Sequence, residues 1–346
     1  MTETRAIQPP GAHRNPDGTF CNPWPGGERQ PFRSLLRWWW DRAVHGVRPD
    51  PQPSVFQRAS PTQRTPRAPD DLLGVTWIGH AAALLQIGGR NVLTDPMFGE
   101  RASPVTFAGP ARWVPPGIAL DELPPIDAVL LSHNHYDHLD KGSVEALAAR
   151  FPSALWLVPI GLAARLRRMG VTETRELDWW DSLALDRLTV TATPAQHFSA
   201  RGFFDRDRSL WCGFAVQAAR HCVFFAGDTG YHPDFGLIGE RCGPFDLALL
   251  PIGAYEPRWF MRPVHLNPEE AVQGFIDLGG ADGGVMGAVH WGTFKLTDEP
   301  MDEPPRRVRA AWSSAGLARE RLWVPRHGET VEFDAIGRAP SIINSR

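Results

Sequence analysis

The densest chemistry in this 346-residue sequence lies in "LLSHNHYDHLD", residues 130–140. His133, His135 and His138 share six positions with Asp137, directly behind an apolar run. Imidazole and carboxylate groups packed at this density are costly beside a buried strand unless they are charged, hydrogen-bonded or coordinated. Similar groups follow three more apolar runs. "RLTVTATPAQ" leads to His197, "CVFFAG" to Asp228 and "GVMGAV" to His290. The five histidines and two aspartates span about 160 residues, and each sits where a rigid strand hands over to a loop. A closed structural zinc site takes four ligands and a catalytic one three plus water, so seven donors suit two metal ions, three per ion with one carboxylate bridging. Nitrogen and oxygen donors without thiolate favour zinc, with iron or manganese as alternatives. Isolated histidines such as His45 and His221 are read as surface or satisfied core residues.

Short apolar strands are predicted at 74–78, 83–87, 91–94, 127–131, 155–158, 188–193, 212–217, 222–226, 246–250 and 285–289. Helices alternate with several of them. Ser143 is read as the cap of a segment carrying Val144, Leu147 and Ala148 on one face. Asn267-Pro268-Glu269-Glu270 has the cap residue, first-turn proline and third-position acid of a helix start. Gly170 and Gly279 sit where such helices stop. Mixed strands and helices of this kind predict an α/β sandwich.

Ahead of this block, residues 1–70 form a proline-rich arm containing a helix at about 31–45. Phe32, Leu35, Leu36, Trp39, Ala43 and Val44 fall on one helical face, while Arg33, Arg37, Asp41 and Arg42 occupy the other. Residues 71–346 are assigned to the catalytic domain. The net charge of −3 gives no electrostatic footprint for nucleic acid. Four cysteines without CxxC spacing fit free thiols in a reducing compartment. With neither an apolar leader nor an 18-residue apolar run, the sequence predicts a cytoplasmic location.

The HxHxDH run with His197, Asp228 and His290 resembles the metallo-β-lactamase superfamily. More closely, the chain is similar to the N-acylphosphatidylethanolamine-hydrolysing phospholipase D family. The stretches that carry this are "TWIGHA" (76–81), "LTDPMF" (93–98), "RASP" (101–104), "LPPIDAVLLSHNHYDHLD" (123–140), "ELDWW" (176–180), "FFAGDTGY" (224–231), "GPFDLALLPIGAYEPRWFM" (243–261), "HLNPEEAV" (265–272) and "HWGTF" (290–294). "NPWP" at 22–25 resembles the family's N-terminal region. The resemblance implies a four-layer αββα sandwich with two zinc ions along one edge. It assigns His133, His135 and His197 to one ion, Asp137, His138 and His290 to the other, and Asp228 as the bridge. Asp95 and His80 are implied to orient ligands, and His265 to act in the site without binding metal.

The implied reaction is hydrolysis of N-acylphosphatidylethanolamine to N-acylethanolamine and phosphatidic acid. A metal-held hydroxide would attack phosphorus, and the leaving alkoxide would gain a proton from water, Asp137 or His265. A lactonase or other ester hydrolase of the same fold is the alternative. Thr106 and Phe107, in a loop that departs from the vertebrate members' pattern, and Trp259 and Phe260 are candidate substrate contacts. A phospholipid substrate implies peripheral contact with the inner face of the membrane. The Arg- and Trp-bearing helix is one candidate for it, and packing on the domain is its other use. The resemblance also implies a homodimer.

Overall fold

A computed structural model describes residues 11–27, 30–202, 204–334 and 341–343. Parts of the predicted arm (1–10, 28 and 29, and the Phe32 side chain) and the ends of the predicted catalytic domain (335–340 and 344–346) lie outside the described residues. The arm carries β1 (His13–Arg14), β2 (Phe20–Cys21) and α1 (Phe32–His45). The first half of the sandwich follows with β3 (Leu73–Gly79), β4 (Ala82–Ile87), β5 (Arg90–Thr94), β6 (Ala128–Leu130), α2 (Lys141–Arg150), β7 (Leu155–Pro159), α3 (Ala163–Arg168) and β8 (Thr174–Leu177). The second half comprises β9 (Ser182–Leu185), β10 (Leu188–Thr193), β11 (Gly213–Gln217), β12 (Cys222–Phe225), α4 (Phe235–Cys242), β13 (Leu247–Pro251), α5 (Arg258–Met261), α6 (Pro268–Asp277), β14 (Val285–Val289), α7 (Glu303–Ser314) and β15 (Leu322–Trp323). The chain then returns to the first sheet through β16 (Thr330–Phe333) and β17 (Ser341–Ile343).

β1 and β2 pair with each other, and the remaining strands form two facing sheets, ordered β17-β16-β3-β4-β5-β6-β7-β8 and β15-β14-β13-β12-β11-β10-β9. Alternation along the strands explains the layers. In β4, Ala83, Leu85 and Ile87 point between the sheets. Ala82 and Leu84 point outward, into a cluster that holds Val144 and Leu147 of α2 and Leu166 of α3. Both faces are dry, so this strand reads as a continuous apolar run. On the other flank, Phe235 of α4, Phe275 of α6 and Trp312 of α7 cover the second sheet. The order of layers is therefore α, β, β, α, as the sequence implied.

All ten predicted strands are present, with ends differing by at most one residue. Two helix ends behave as expected. Asn267 Oδ1 accepts the Glu270 amide at 2.8 Å, and Gly279 follows α6 in the left-handed region, φ 75°. The start of α2 needs a correction. Its cap is Asp140, whose Oδ2 accepts both the Ser143 amide at 2.8 Å and the Ser143 hydroxyl at 2.6 Å. Ser143 sits one turn further in, and its Oγ accepts the Phe98 amide at 2.8 Å. A carboxylate at the cap satisfies an orphan donor and complements the helix dipole, which a hydroxyl does less well.

The arm lies against the sandwich. Phe20 and Trp38 are buried. Trp38 packs on Phe260, ring centroids 5.1 Å apart, and its indole N–H donates to Asp298 at 2.5 Å. On α1 the packed face is thus the one bearing Trp38, whereas most of the predicted apolar face turns outward. Trp39 is 56% and Trp40 69% exposed, with Leu36 and Val44 also on the surface. Among the described residues no helix is long and apolar enough to cross a membrane.

Candidate metal centre

Strands β5, β6 and β7 run parallel in the first sheet, as do β12, β13 and β14 in the second. Parallel strands deliver their C-terminal ends to the same edge, so the residues that follow them collect there. Asp95 follows β5, the 133–138 loop follows β6, Asp228 follows β12 and His290 follows β14. His80 arrives from the β3–β4 turn, and His197 from beyond β10. Backbone strain marks the same edge. His80, Asp95, Ala254 and His290 hold positive φ values, a conformation that non-glycine residues adopt only when their surroundings impose it. Gly227, just before Asp228, is a close-approach position, because a Cβ there would lie 2.6 Å from the Cβ of Ser132.

His133, His135 and His197 bring one ligand atom each within 4.8 Å of the others, and so do Asp137, His138 and His290 together with His80. Asp228 lies between the two groups. Its Oδ2 is 3.1 Å from His138 Nε2, 3.8 Å from His197 Nε2 and 3.9 Å from His133 Nε2. Its Oδ1 is 3.2 Å from His290 Nε2. His138 Nε2, His290 Nε2 and Asp228 Oδ1 are buried yet lack hydrogen-bond geometry to any described partner. Converging lone-pair atoms that do not bond one another are what a cation would satisfy. The donor set of imidazole and carboxylate fits zinc, iron or manganese.

Surrounding groups fix the rings. Asp95, fully buried, accepts the Ser132 amide at 2.7 Å on Oδ1, and both the Ser132 hydroxyl at 2.5 Å and His138 Nδ1–H at 2.6 Å on Oδ2. The Ser132 hydroxyl has spent its only proton on Asp95, so its oxygen accepts from His133 Nδ1 at 2.9 Å. His197 Nδ1–H donates to the Val264 carbonyl at 2.8 Å. All three bonds place the proton on Nδ1 and leave Nε2 facing the centre. His80 Nε2 lies 2.8 Å from Asp137 Oδ2. Arg201 closes the 133–139 loop from outside, donating to the carbonyls of Asn134 at 2.8 Å and Leu139 at 2.6 Å.

Electrostatics divides the site. Burial lowers His133 well below the usual histidine range, takes His135 to about 3 and His197 to about 4, and keeps these rings neutral. Burial opposes charge on His138 and His290 too, but the carboxylates prevail. Asp228, Asp137 and Asp95 hold His138 well above its ordinary value, and Asp228 with Asp137 raises His290 to about 9. Against the effect of burial, His138 and its neighbours keep Asp137 and Asp228 ionised, well below the usual carboxylate range. Burial lowers His265 well below the histidine range. Its Nε2 is 3.9 Å from Asp228 Oδ2, just ahead of the α6 cap.

The remaining candidates are more scattered. Phe260 lines a cavity of about 720 Å³ that reaches His197 and is also walled by Phe20, Leu35, Phe198 and Val264. Trp259 lies partly exposed beneath Arg37, whose guanidinium is 4.4 Å from the ring centroid. Thr106 and Phe107 occupy an exposed loop tip, with Phe107 81% exposed; no described contact joins them to the histidines. Sequence reasoning passed over Ser132, Arg201 and Asn22. Ser132 carried a signal in its place directly before His133 on the strand end. Asn22 stood in the NPWP stretch, which carried a resemblance but no role, and nothing local marked Arg201, whose partners are backbone groups far away in sequence.

Comparison with known proteins agrees with this architecture. Residues 90–291 match the family described as β-lactamase superfamily domain. An uncharacterised protein of Mycobacterium tuberculosis is 48% identical over 241 residues, 69% of this chain and 64% of its own length. The chain thus spans somewhat less than two thirds of that relative. N-acyl-phosphatidylethanolamine-hydrolyzing phospholipase D 1 of Caenorhabditis elegans is 40% identical over 248 residues, 68% of this chain and 69% of that protein. Among solved structures, the isothiocyanate hydrolase from Delia radicum gut bacteria superposes with a TM-score of 0.61 at 23% identity, covering 76% of this chain and 99% of that one, a likeness of fold. On the family match and these relatives, the chain belongs to the metallo-β-lactamase superfamily.

Proposed function

We propose that this protein is a metal-dependent phosphodiesterase that hydrolyses N-acylphosphatidylethanolamine or a closely similar glycerophospholipid. The observation that carries the reaction class is the pair of three-donor groups meeting at Asp228. His133, His135 and His197 would hold one zinc ion, Asp137, His138 and His290 the other, and Asp228 would reach both. Two such ions supply a nucleophilic oxygen at neutral pH and neutralise charge on the phosphoryl oxygens.

The protein's own groups do the rest. Asp137, kept ionised, accepts the proton of the attacking water on Oδ1, since Oδ2 is the oxygen that faces His80, His138 and His290. As the oxygen–phosphorus bond to water forms, the bond to the ethanolamine oxygen breaks. That oxygen regains a proton from the Asp137 carboxyl, while His265 Nε2 donates a hydrogen bond to the departing group. The products are an N-acylethanolamine and a phosphatidic acid.

Two features support a lipid. The cavity reaching His197 has an apolar wall of Phe20, Leu35, Phe198, Trp211, Phe260 and Val264 that suits an acyl chain, and a polar wall that includes Arg206 and Arg208. The outward face of α1 presents Leu36, Trp39, Trp40 and Val44 beside exposed Arg33 and Arg37, a combination suited to an anionic bilayer surface. The roundworm relative's name adds the substrate class.

The test is hydrolysis of N-acylphosphatidylethanolamine by zinc-loaded protein beside Asp137→Asn and His290→Ala, with a lactone and a simple phosphodiester as comparison substrates. Release of N-acylethanolamine by the wild type, lost in both variants, is the expected result. Cleavage of the lactone or the simple diester with the lipid untouched would replace the phospholipase reading with an ester hydrolase or a general diesterase.

A further inference from the structure

The arm does more than lie against the sandwich. The Asn22 side chain pairs with both backbone groups of His197. Its Nδ2 donates to the His197 carbonyl at 2.9 Å, and its Oδ1 accepts the His197 amide at 3.2 Å. The second Nδ2 hydrogen reaches the Gly27 carbonyl, also at 2.9 Å, which fixes the plane of the amide. Among the described residues no other group bonds the His197 N–H or C=O. A primary amide presents an N–H and its C=O on one edge, so Asn22 pairs with both peptide groups of His197 as a facing strand residue would, beyond the end of β10.

The placement matters because, among the described residues, the other anchors grip the His197 ring and the residue before it, whose carbonyl accepts the Gly230 amide at 2.8 Å. The ring is fixed by Nδ1–H to the Val264 carbonyl. The preceding Gln196 is tied by its amide to Thr229 Oγ1 at 2.9 Å and by Nε2 to the Pro263 carbonyl at 2.8 Å. The loop beyond, through Phe198, forms part of the cavity wall. Without Asn22 the backbone of His197 carries two buried, unpaired polar groups, which cost free energy until the chain shifts to find partners. A shift of this residue moves Nε2 relative to His133 and His135.

The arm itself does not depend on Asn22 for attachment. Phe20 is buried, and its amide donates to the Asp207 carbonyl at 2.8 Å. Trp24 stacks on His232 at 4.3 Å and on Trp179 at 5.7 Å, and its indole N–H donates to Asp234 at 3.1 Å. The Ala12 amide donates to Asp178 at 2.8 Å.

We propose that Asn22 is a positioning residue for the metal centre, holding the backbone of His197 so that the His133–His135–His197 group can bind its ion. This rests on reading the seven donors as metal ligands. Because that group lies on the arm side of the site, the arm would be an integral part of the metal centre.

The experiment measures metal binding, not turnover. Metal-free wild type, Asn22→Ala, Asn22→Asp and Trp24→Phe are titrated with zinc against a competing chelator, and the cobalt-loaded proteins are compared by visible absorption. Asn22→Asp preserves shape and the acceptor facing the His197 N–H but turns the two donors into acceptors facing two carbonyls. Both Asn22 variants should lose about 10- to 100-fold in affinity for one of the two ions, the range seen when a group that orients a ligand is removed. Their cobalt spectra should change, while Trp24→Phe, which keeps the stacking, matches the wild type. Full-affinity binding of both ions with an unaltered spectrum in the Asn22 variants overturns the proposal and leaves the metal assignment standing. Equal weakening in Trp24→Phe also overturns it, since arm attachment in general would then be responsible. Wild type that takes up no metal overturns both.

Discussion

Replacing Asp95 with asparagine should disable two metal ligands through one isosteric change. In the wild type, Asp95 accepts everything that faces it: the Ser132 amide on Oδ1, and the Ser132 hydroxyl and His138 Nδ1–H on Oδ2. Asparagine must keep its oxygen toward the Ser132 amide, so its NH2 takes the place of Oδ2. That NH2 now donates where the carboxylate accepted. His138 Nδ1 becomes an acceptor, and its proton moves to Nε2, the atom aimed at Asp228 from 3.1 Å. The Ser132 hydroxyl, bonded by the new NH2, turns its proton to His133 Nδ1, 2.9 Å away, and pushes the His133 proton to Nε2 as well. An imidazole protonated on the nitrogen facing the ion is no ligand. His138 and His133 belong to different three-donor groups, so both ions should weaken, each by about 10- to 100-fold. Fold stability should change little, because every hydrogen bond survives, the Ser132 amide bond unchanged and the other three with direction reversed. Asp95→Ala should behave differently. It leaves three buried groups unpaired, and at about 1–3 kcal/mol for an unsatisfied group it should destabilise the metal-free protein by several kcal/mol. Zinc competition and chemical denaturation of the two metal-free variants separate these effects. If Asp95→Asn binds both ions with wild-type affinity, the tautomer argument is wrong. If it is as unstable as Asp95→Ala, the assumption that the bonds simply reverse is wrong.

Three further outcomes are expected. His290 is raised to about 9 by Asp228 and Asp137 against the effect of burial, so its charge stabilises the metal-free fold below the ordinary histidine pKa of about 6.5, and that contribution is lost as pH rises through about 9. Thermal melting in chelator should therefore fall between pH 7 and 10, and the fall should be smaller in His290→Ala; an equal fall in both would reject the assignment. Asn267→Ala removes a cap that bonds the Glu270 amide at 2.8 Å, and urea denaturation should show a loss of about 1 kcal/mol, with no change meaning that Glu270 caps α6 unaided. Trp39→Ser with Trp40→Ser changes two exposed side chains of α1, so sedimentation with anionic vesicles should drop while cleavage of a soluble diester stays constant; undiminished vesicle binding would remove α1 from the membrane proposal.

How much of this the sequence revealed follows from the range of the forces involved. Nine of the ten strands were legible because both their faces are buried, so they read as short apolar runs ended by loop residues, and β10 through the alternation of buried Leu188, Val190 and Ala192 with threonines. β8, β9 and β16 were not. Thr174–Leu177 and Ser182–Leu185 are half-exposed strands, too short and too polar to show a period. Thr330–Phe333 is recognisable mainly through its pairing with β3, some 250 residues away. On α1 the periodicity was real but its direction was not readable. An amphipathic pattern says that one face is apolar, not that the apolar face is the one that packs. Trp38, from the opposite side, makes the contact because Phe260 and Asp298 are there to receive it. The same distinction applies to the metal centre. The candidate donors were legible because imidazole and carboxylate side chains crowd at strand ends for few other reasons, and because the stretches shared with a known family implied their grouping. The groups that orient them work largely through backbone partners, as Asn22 does with His197 and Arg201 with the 133–139 loop. A backbone amide or carbonyl is the same at every residue, so such contacts leave no mark on the sequence of the partner. Only the fold shows that an asparagine in a proline-rich arm and a histidine 175 positions later are one structural unit.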